Sequence, residues 1–491
     1  MKQRAPLTLA AAAAALAAFA GLAHLTAPAA PAADDRTTAA ARMPVERSAL
    51  VCPAPSSSDI AETTYTAITP GAAGGGKGSA RLLGATKEAK PVLELKERGK
   101  PAGATASGAE APGLAGIADG VLAPGWTAQQ TTKVSVGRSR GLLGVGCTTP
   151  GTDFWFPGAS TAKGREDYLH LTNPDDTAAV IDIKMFGPDG AVKDETGASE
   201  NIRIDPRSTK AVSLASLAPG KELADLTAHV TTRAGRVGAS LQAGEENVGA
   251  DWLAASADPA AAQVLPGIPA DATSVKLVAF APGEEDADLT VKLAGPNGPI
   301  SPAGNEQLHL KAGMTAGVDL KDVTRGEAGS LLLAPADPKK AVPVVAALRV
   351  VRGSGAKQEM AFVPAAAPVG ARATVADNRA DENASVLSLT AVGADAKVKV
   401  TASPGTEAGE PATKEVSVKA GSTQTVSLAP GGAKGAYALT VETLSGGPVH
   451  AARTLTLPHE GIVMFTVQTL SDDRGMVPVP KAVQDLTVLT R

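Results

Sequence analysis

Phe154, Trp155 and Phe156 are three adjacent rings in a chain with only 3% aromatic residues. Aromatic faces stack on sugar rings or fill a partner's pocket, and Trp is enriched among binding hot spots. The trio is therefore the candidate ligand or partner contact. A second reading competes with it. In an aromatic-poor chain the few large rings anchor cores, and Pro157-Gly158 directly after them marks a strand corner. Packing, within a core or between domains, is the reading this composition favours.

Other stretches approach chemistry and fall short of it. Residues 71–78, GAAGGGKG, resemble a phosphate-binding loop. Such a loop needs Ser or Thr after Lys77 to hold magnesium, and a helix must follow to aim its N-terminus at phosphate. Gly78 and the sequence after it supply neither, so the stretch reads as a flexible loop. A Gly-x-Ser-x-Gly elbow is absent, as is any alternation of strands and helices to present one. Among the six histidines, His24 lies in an N-terminal apolar run, while His170, His229, His309 and His450 lie in strand-like stretches without Cys or His at ligand spacing. His170 sits between Leu169 and Leu171, and His309 between Leu308 and Leu310, so alternation places both on the polar outer face. Asn173, Asp175 and Asp176 gather oxygen ligands of the kind calcium takes, but without a repeated Asp pattern they read as turn residues. No metal and no cofactor are expected. Paired acids such as Glu284-Glu285-Asp286 also fall in turns, and a glycosidase would need two carboxylates facing one another across a cleft.

The compartment follows from the N-terminus and the charge. Lys2 and Arg4 precede an apolar, Ala-rich run over residues 7–25, and small residues suited to export cleavage follow. Residues 1–33 read as a cleaved signal peptide or a retained membrane-anchor helix, and residues 34–46 as a polar tether. The protein is expected to be exported, either secreted or anchored on the outer face of the cytoplasmic membrane. The net charge of −4 is spread along the chain, without the basic stripe that nucleic-acid binding requires. Only Cys52 and Cys147 are present. In an exported chain an even count favours a disulfide, with two free buried thiols as the other reading.

The elements that would position these residues are strands. Residues 168–190, YLHLTNPDDTAAVIDIKMFGPDG, read as a β-hairpin, and residues 275–298 repeat the layout. Pro174 precedes Gly187 by the spacing that separates Pro282 from Gly295. Three later segments also superpose: Ile204 and Leu214, Leu310 and Leu320, Val418 and Leu428 share one spacing, and each copy ends in an Ala-rich β-branched strand. Residues 226–242 read as another hairpin, turning at Ala234-Gly235. The repeat unit is roughly 100 residues, the size of a β-sandwich. The domains are then 47–150, an irregular β domain with a flexible loop; 151–258; 259–363; and 364–491, a third sandwich repeat with a C-terminal strand. Residues 97–120, rich in Pro, Gly and Ala, read as a long surface loop. Helical period is nearly absent after residue 30, apart from one short turn between residues 214 and 226.

The stretches LVCPAP, GLLGVGC, DFWFPG and YLHLTNP, with the repeats downstream, together resemble an actinobacterial family of exported proteins, domain of unknown function 5719. The resemblance extends over nearly the whole chain after the leader. It implies an all-β fold of tandem immunoglobulin-like β-sandwich domains behind an N-terminal export or anchor helix, placed in the cell envelope, and it carries over no catalytic residues. The expected function is that of a non-catalytic scaffold or binding module for an envelope protein or glycan. The alternative is an envelope polysaccharide-active enzyme with carboxylates in inter-domain loops.

Overall fold

Alternation of apolar and polar residues along the chain becomes a set of antiparallel sheets. The computed structural model describes residues 41–72, 76–88 and 90–479. The expected leader (1–33) and most of the tether lie outside the described residues. The last part of the tether is not a tether: Ala41–Pro44 is a strand and pairs with Met476–Val479 in a two-stranded sheet. No helix among the described residues is long and apolar enough to cross a membrane.

The remaining body, Pro44–Met476, is built from sandwiches of two facing sheets. One sandwich runs through Asp153–Ala159, Arg165–Asn173, Ala179–Gly187, Ile202–Ile204, Ser208–Ser213, Leu226–Ala234, Gly238–Glu245 and Gly249–Leu253. Counted in chain order, the first, sixth, third and fourth strands form one sheet, and the fifth, second, seventh and eighth form the other. A short α-helical turn, Leu214–Leu217, follows the fifth strand and buries both leucines.

This order corrects the hairpin reading. Arg165–Asn173 and Ala179–Gly187 lie in opposite sheets, so residues 168–190 form an arch across the sandwich. Asn173 holds the crossing. Its amide donates to the carbonyls of Thr177 (2.8 Å) and Asp205 (3.1 Å), and its Oδ1 accepts from the Asp175 N–H (3.0 Å). The stretch at 226–242 is also an arch, because Leu226–Ala234 and Gly238–Glu245 face one another from different sheets. Alternation reports only that one face is buried, and both faces of an arch bury theirs in the same core. The tight turn at 187–190 is a true hairpin, with Gly187 opposite Gly190, and Gly295 opposite Gly298 repeats it.

The repeated segments occupy equivalent places. Ile204 pairs with Ala179, Leu310 with Ala287 and Val418 with Ala396, each joining the fourth strand to the third. A fourth copy exists that sequence spacing does not reveal. Strands within residues 47–146 pair in the same order, Arg47–Cys52, Leu114–Gly120, Gly78–Gly84 and Pro91–Leu95 in one sheet, and Ala102–Ser107, Glu62–Ile68, Thr127–Val134 and Gly141–Gly146 in the other. The reading of this region as irregular, with a surface loop at 97–120, is therefore wrong. Its fifth and sixth strands are written in Gly and Ala because space is short. A Cβ at Gly116 would stand 2.5 Å from the Trp126 ring and 2.8 Å from Leu82.

The four sandwiches close into a ring. Their eighth strands, Gly141–Gly146, Gly249–Leu253, Glu359–Pro364 and Phe465–Leu470, touch one another in cyclic order. Apolar side chains seal each junction. Leu143 and Val145 meet Ala250 and Trp252, Met360 and Phe362 extend the core of the second sandwich, and Phe465 and Val467 extend that of the third. Leu142 meets Leu455 and Met464, which joins the first sandwich to the fourth.

Cys52 and Cys147 form a disulfide across a sequence separation of 95. It ties the end of the first strand of the first sandwich to the residue after its eighth, where Val51 and Thr148 also exchange backbone hydrogen bonds. Cys147→Ser should lower the unfolding free energy by about 4.7 kcal/mol in the chain-entropy model. The measurement is the denaturant midpoint of oxidised wild type against the variant, and equal midpoints would contradict the assigned role.

Candidate functional site

The aromatic trio is spent on internal packing. Phe154 and Phe156 enter the core of the second sandwich. Trp155, on the opposite face of the same strand, is 9% exposed. Its ring stacks on His229 of the neighbouring strand at 3.5 Å between centroids and meets Phe280 at 5.6 Å. Phe280 and Val345 belong to the third sandwich, so Trp155 serves the junction between sandwiches two and three. His229 also bonds the Asp153 carboxylate at 3.0 Å, and burial lowers its pKa. Phe154, Trp155 and Phe156 are thus all engaged by contacts within the chain.

The turn acids are likewise occupied. Asp175 takes two hydrogen bonds from Arg236 (3.0 and 3.1 Å), and Asp176 is paired with Arg207. Among the described residues no group of three or more His, Cys, Asp or Glu is placed to hold a metal ion.

Unforeseen polar groups gather where the eighth strands meet. Asp251 is fully buried, and its Oδ1 accepts from the Gly144 N–H (3.0 Å) and the Thr466 hydroxyl (3.1 Å). One carboxyl of the second sandwich is thereby bonded to the first and the fourth. Glu359 of the third sandwich is buried beside it, and its Oε1 stands 2.1 Å from where a Cβ on Gly249 would be. Burial pushes Asp251 well above the usual carboxylate range and Glu359 up to about 9, against the pull of Arg140. Glu359 is therefore a neutral acid at neutral pH, and burial favours the protonated form of Asp251 as well. A second buried polar tie joins sandwiches one and four, where the Thr66 hydroxyl donates to Asp377 (2.9 Å) and Arg453 donates to the Asp377 carbonyl (3.2 Å).

The open features are grooves at the junctions. Between sandwiches one and two lies a groove of about 590 Å³, bordered by Ser57 and Arg138 on one side and by Arg165, Tyr168, His170 and Gln242 on the other. His170 departs from the sequence reading: it is buried, its ring set edge-on to Trp252 at 4.9 Å, because the outer sheet face of the second sandwich is covered by the first. Burial lowers its pKa to about 4, so the ring is neutral. His309 does sit on an exposed face, as alternation indicates, beside Asp288 at 2.7 Å. Between sandwiches two and three the equivalent groove, about 370 Å³, is crossed by ion pairs, Lys276–Asp225 at 2.7 Å and Arg349–Glu245 at 2.6 Å. Buried Asp167 is held beside Arg165 at 2.9 Å, yet burial outweighs that pairing and raises its pKa to about 6. Between sandwiches four and one a third groove, about 690 Å³, is lined by residues that include Arg98, Lys100, Arg372 and Lys399.

The groove residues were legible only in part. Alternation puts Tyr168 and His170 on one face, as observed. Nothing local says that another sandwich covers that face.

A model described as a family of unknown function, DUF5719, matches residues 102–429, from within the first sandwich to within the fourth. No curated protein matches the chain.

The raised pKa of Glu359 at the ring centre sets a pH dependence. Between 4.5 and about 9 the unfolded chain holds less of the Glu359 proton than the folded one. Stability from this group is therefore complete below its unfolded value and is lost as pH rises, by up to about 1.4 kcal/mol per pH unit. Wild type should melt progressively lower from about pH 5 to about pH 9, and Glu359→Gln should flatten the decline. An unchanged slope in the variant would show that Glu359 is not the group responsible.

Proposed function

The chain belongs to the DUF5719 family, and from that premise we propose that it is a non-catalytic, exported protein of the cell envelope that acts as a scaffold or binding module. The observation that carries this reading is the closed ring, sealed inside by apolar contacts and grooved at its junctions. Binding proteins place ligand grooves at domain interfaces, on elements that do not move. A disulfide suits an oxidising compartment, in line with the apolar leader and small residues of the N-terminus. The Ala, Gly and Pro bias fits an actinobacterial source. Immunoglobulin-like character is part of the same proposal. The second and fifth strands pair, and so do the third and sixth, as B–E and C–F do in that fold. Placement of the first strand beside the sixth, and the seventh beside the second, departs from it.

The second reading, an envelope polysaccharide-active enzyme, draws on Asp251 and Glu359, two neighbouring carboxyls of raised pKa. Both are fully buried and line none of the three junction grooves, which weighs against it. The envelope partner, protein or glycan, would be met on the outer surface or in the grooves, and the membrane only through an uncleaved N-terminal segment. Affinity capture from envelope extract with the full chain as bait should return a specific envelope component, and the native protein should fractionate with the secreted or membrane pool in oxidised form. Full-length protein with free thiols in the cytosol would overturn the proposal.

A further inference from the structure

The ring builds its junctions from the same strand positions, so the residues at those positions can be compared directly. Between the second and seventh strands, Tyr168 is opposite Gln242, Lys276 opposite Arg349 and Val386 opposite Thr454. At the junction of sandwiches two and three, Lys276 and Arg349 are taken up by carboxylates of the preceding sandwich. At the junction of sandwiches one and two the same places carry neutral groups, Tyr168 and Gln242, and the Gln242 amide also donates to the Pro55 carbonyl of the first sandwich at 3.4 Å. Tyr168 is 39% exposed, and the fully enclosed His170 Nδ1 has no partner. We propose that this groove is a binding site for a neutral saccharide, with Tyr168, His170 and Gln242 as the contacting residues.

The chemistry of the lining selects the ligand class. A buried polar atom left without a partner is costly, so a ligand that reaches His170 Nδ1 relieves that cost on binding. A neutral imidazole offers one donor and one acceptor, and a carboxamide offers both. Hydroxyl groups, which donate and accept, complement either tautomer of His170 and either end of the Gln242 amide, as well as the hydroxyls of Ser57 and Ser139 at the rim. The Tyr168 ring supplies a flat apolar surface with a polar tip, suited to the C–H face of a sugar ring. Charges do not favour an anion. Arg138 is paired with Glu166 across the junction at 2.9 Å, Arg165 is held by Asp167 at 2.9 Å, and Lys163 shares the rim with Glu246. A cavity of about 590 Å³ falls within the range of small-ligand sites.

The assignment rests on the binding-module reading and deepens it. It is tested on the full chain by titration with three neutral oligosaccharides, cellohexaose, maltohexaose and the β-1,4-linked hexamer of N-acetylglucosamine, and with inorganic phosphate as an anionic probe. Saturable binding of at least one neutral oligosaccharide is expected, with a change in fluorescence from Trp252 beside His170. Tyr168→Ala and Gln242→Ala should each weaken it about ten-fold while leaving the melting temperature unchanged. Because His170 is buried, its readout is the wild-type imidazole nitrogen resonance, which should shift on binding. Binding that survives Tyr168→Ala and Gln242→Ala undiminished, or phosphate binding without saccharide binding, overturns the assignment. If no probe binds but envelope extract still yields a partner, the saccharide groove is wrong and the binding-module reading stands. If the extract also yields nothing, both fall.

Discussion

Close packing of strand on strand at the ring centre is the constraint on which the rest depends. The eighth strands are edge strands of their sheets, and an exposed edge ordinarily invites pairing with another chain. Here each edge is covered by its neighbours in the ring. Close approach demands small residues: a Cβ on Gly141 would lie 2.2 Å from the Ala250 carbonyl oxygen, and one on Gly144 would lie 1.8 Å from the side-chain amide nitrogen of Gln468. The Gly144 N–H then reaches the Asp251 carboxyl, and Thr466 reaches it from the far side. Burial raises the pKa of this carboxyl, and the two hydrogen bonds to its Oδ1 offset part of the cost of placing it there.

Burial of the outer sheet faces follows from closure. A sandwich standing alone would present its fifth–second–seventh–eighth sheet to water, with polar residues at alternate positions. In the ring that face looks onto the preceding sandwich, which explains why His170 and His450 are buried although their neighbours alternate as in a half-exposed strand. It also explains Trp155. On an isolated domain it would be a surface aromatic and a natural candidate for ligand contact, whereas closure turns its face onto Phe280 and Val345.

What the sequence discloses is therefore local, and what it hides is mutual. The all-β class, most strands from Glu62–Ile68 to Val449–Thr456, the cysteine pair and the equivalence of Ile204, Leu310 and Val418 are all written in side-chain type and spacing. Arches cannot be told from hairpins, because the difference lies in which sheet receives the second strand. The first sandwich escaped recognition because Gly116 and the alanines of Ala102–Ser107 fill its fifth and sixth strands, where Trp126 occupies the volume that larger apolar residues would have signalled. Asp251 and Glu359 carry no motif. They stand on strands more than 100 residues apart, and only burial in the assembled ring brings them together.

Native-state hydrogen exchange, resolved by residue, tests the closed ring most directly. If the four sandwiches are one cooperative body, amides of the four eighth strands exchange last and at a common rate set by global unfolding. Were one sandwich's eighth strand to exchange orders of magnitude faster than the other three, the sandwiches would be separate beads, and the ring account would be contradicted.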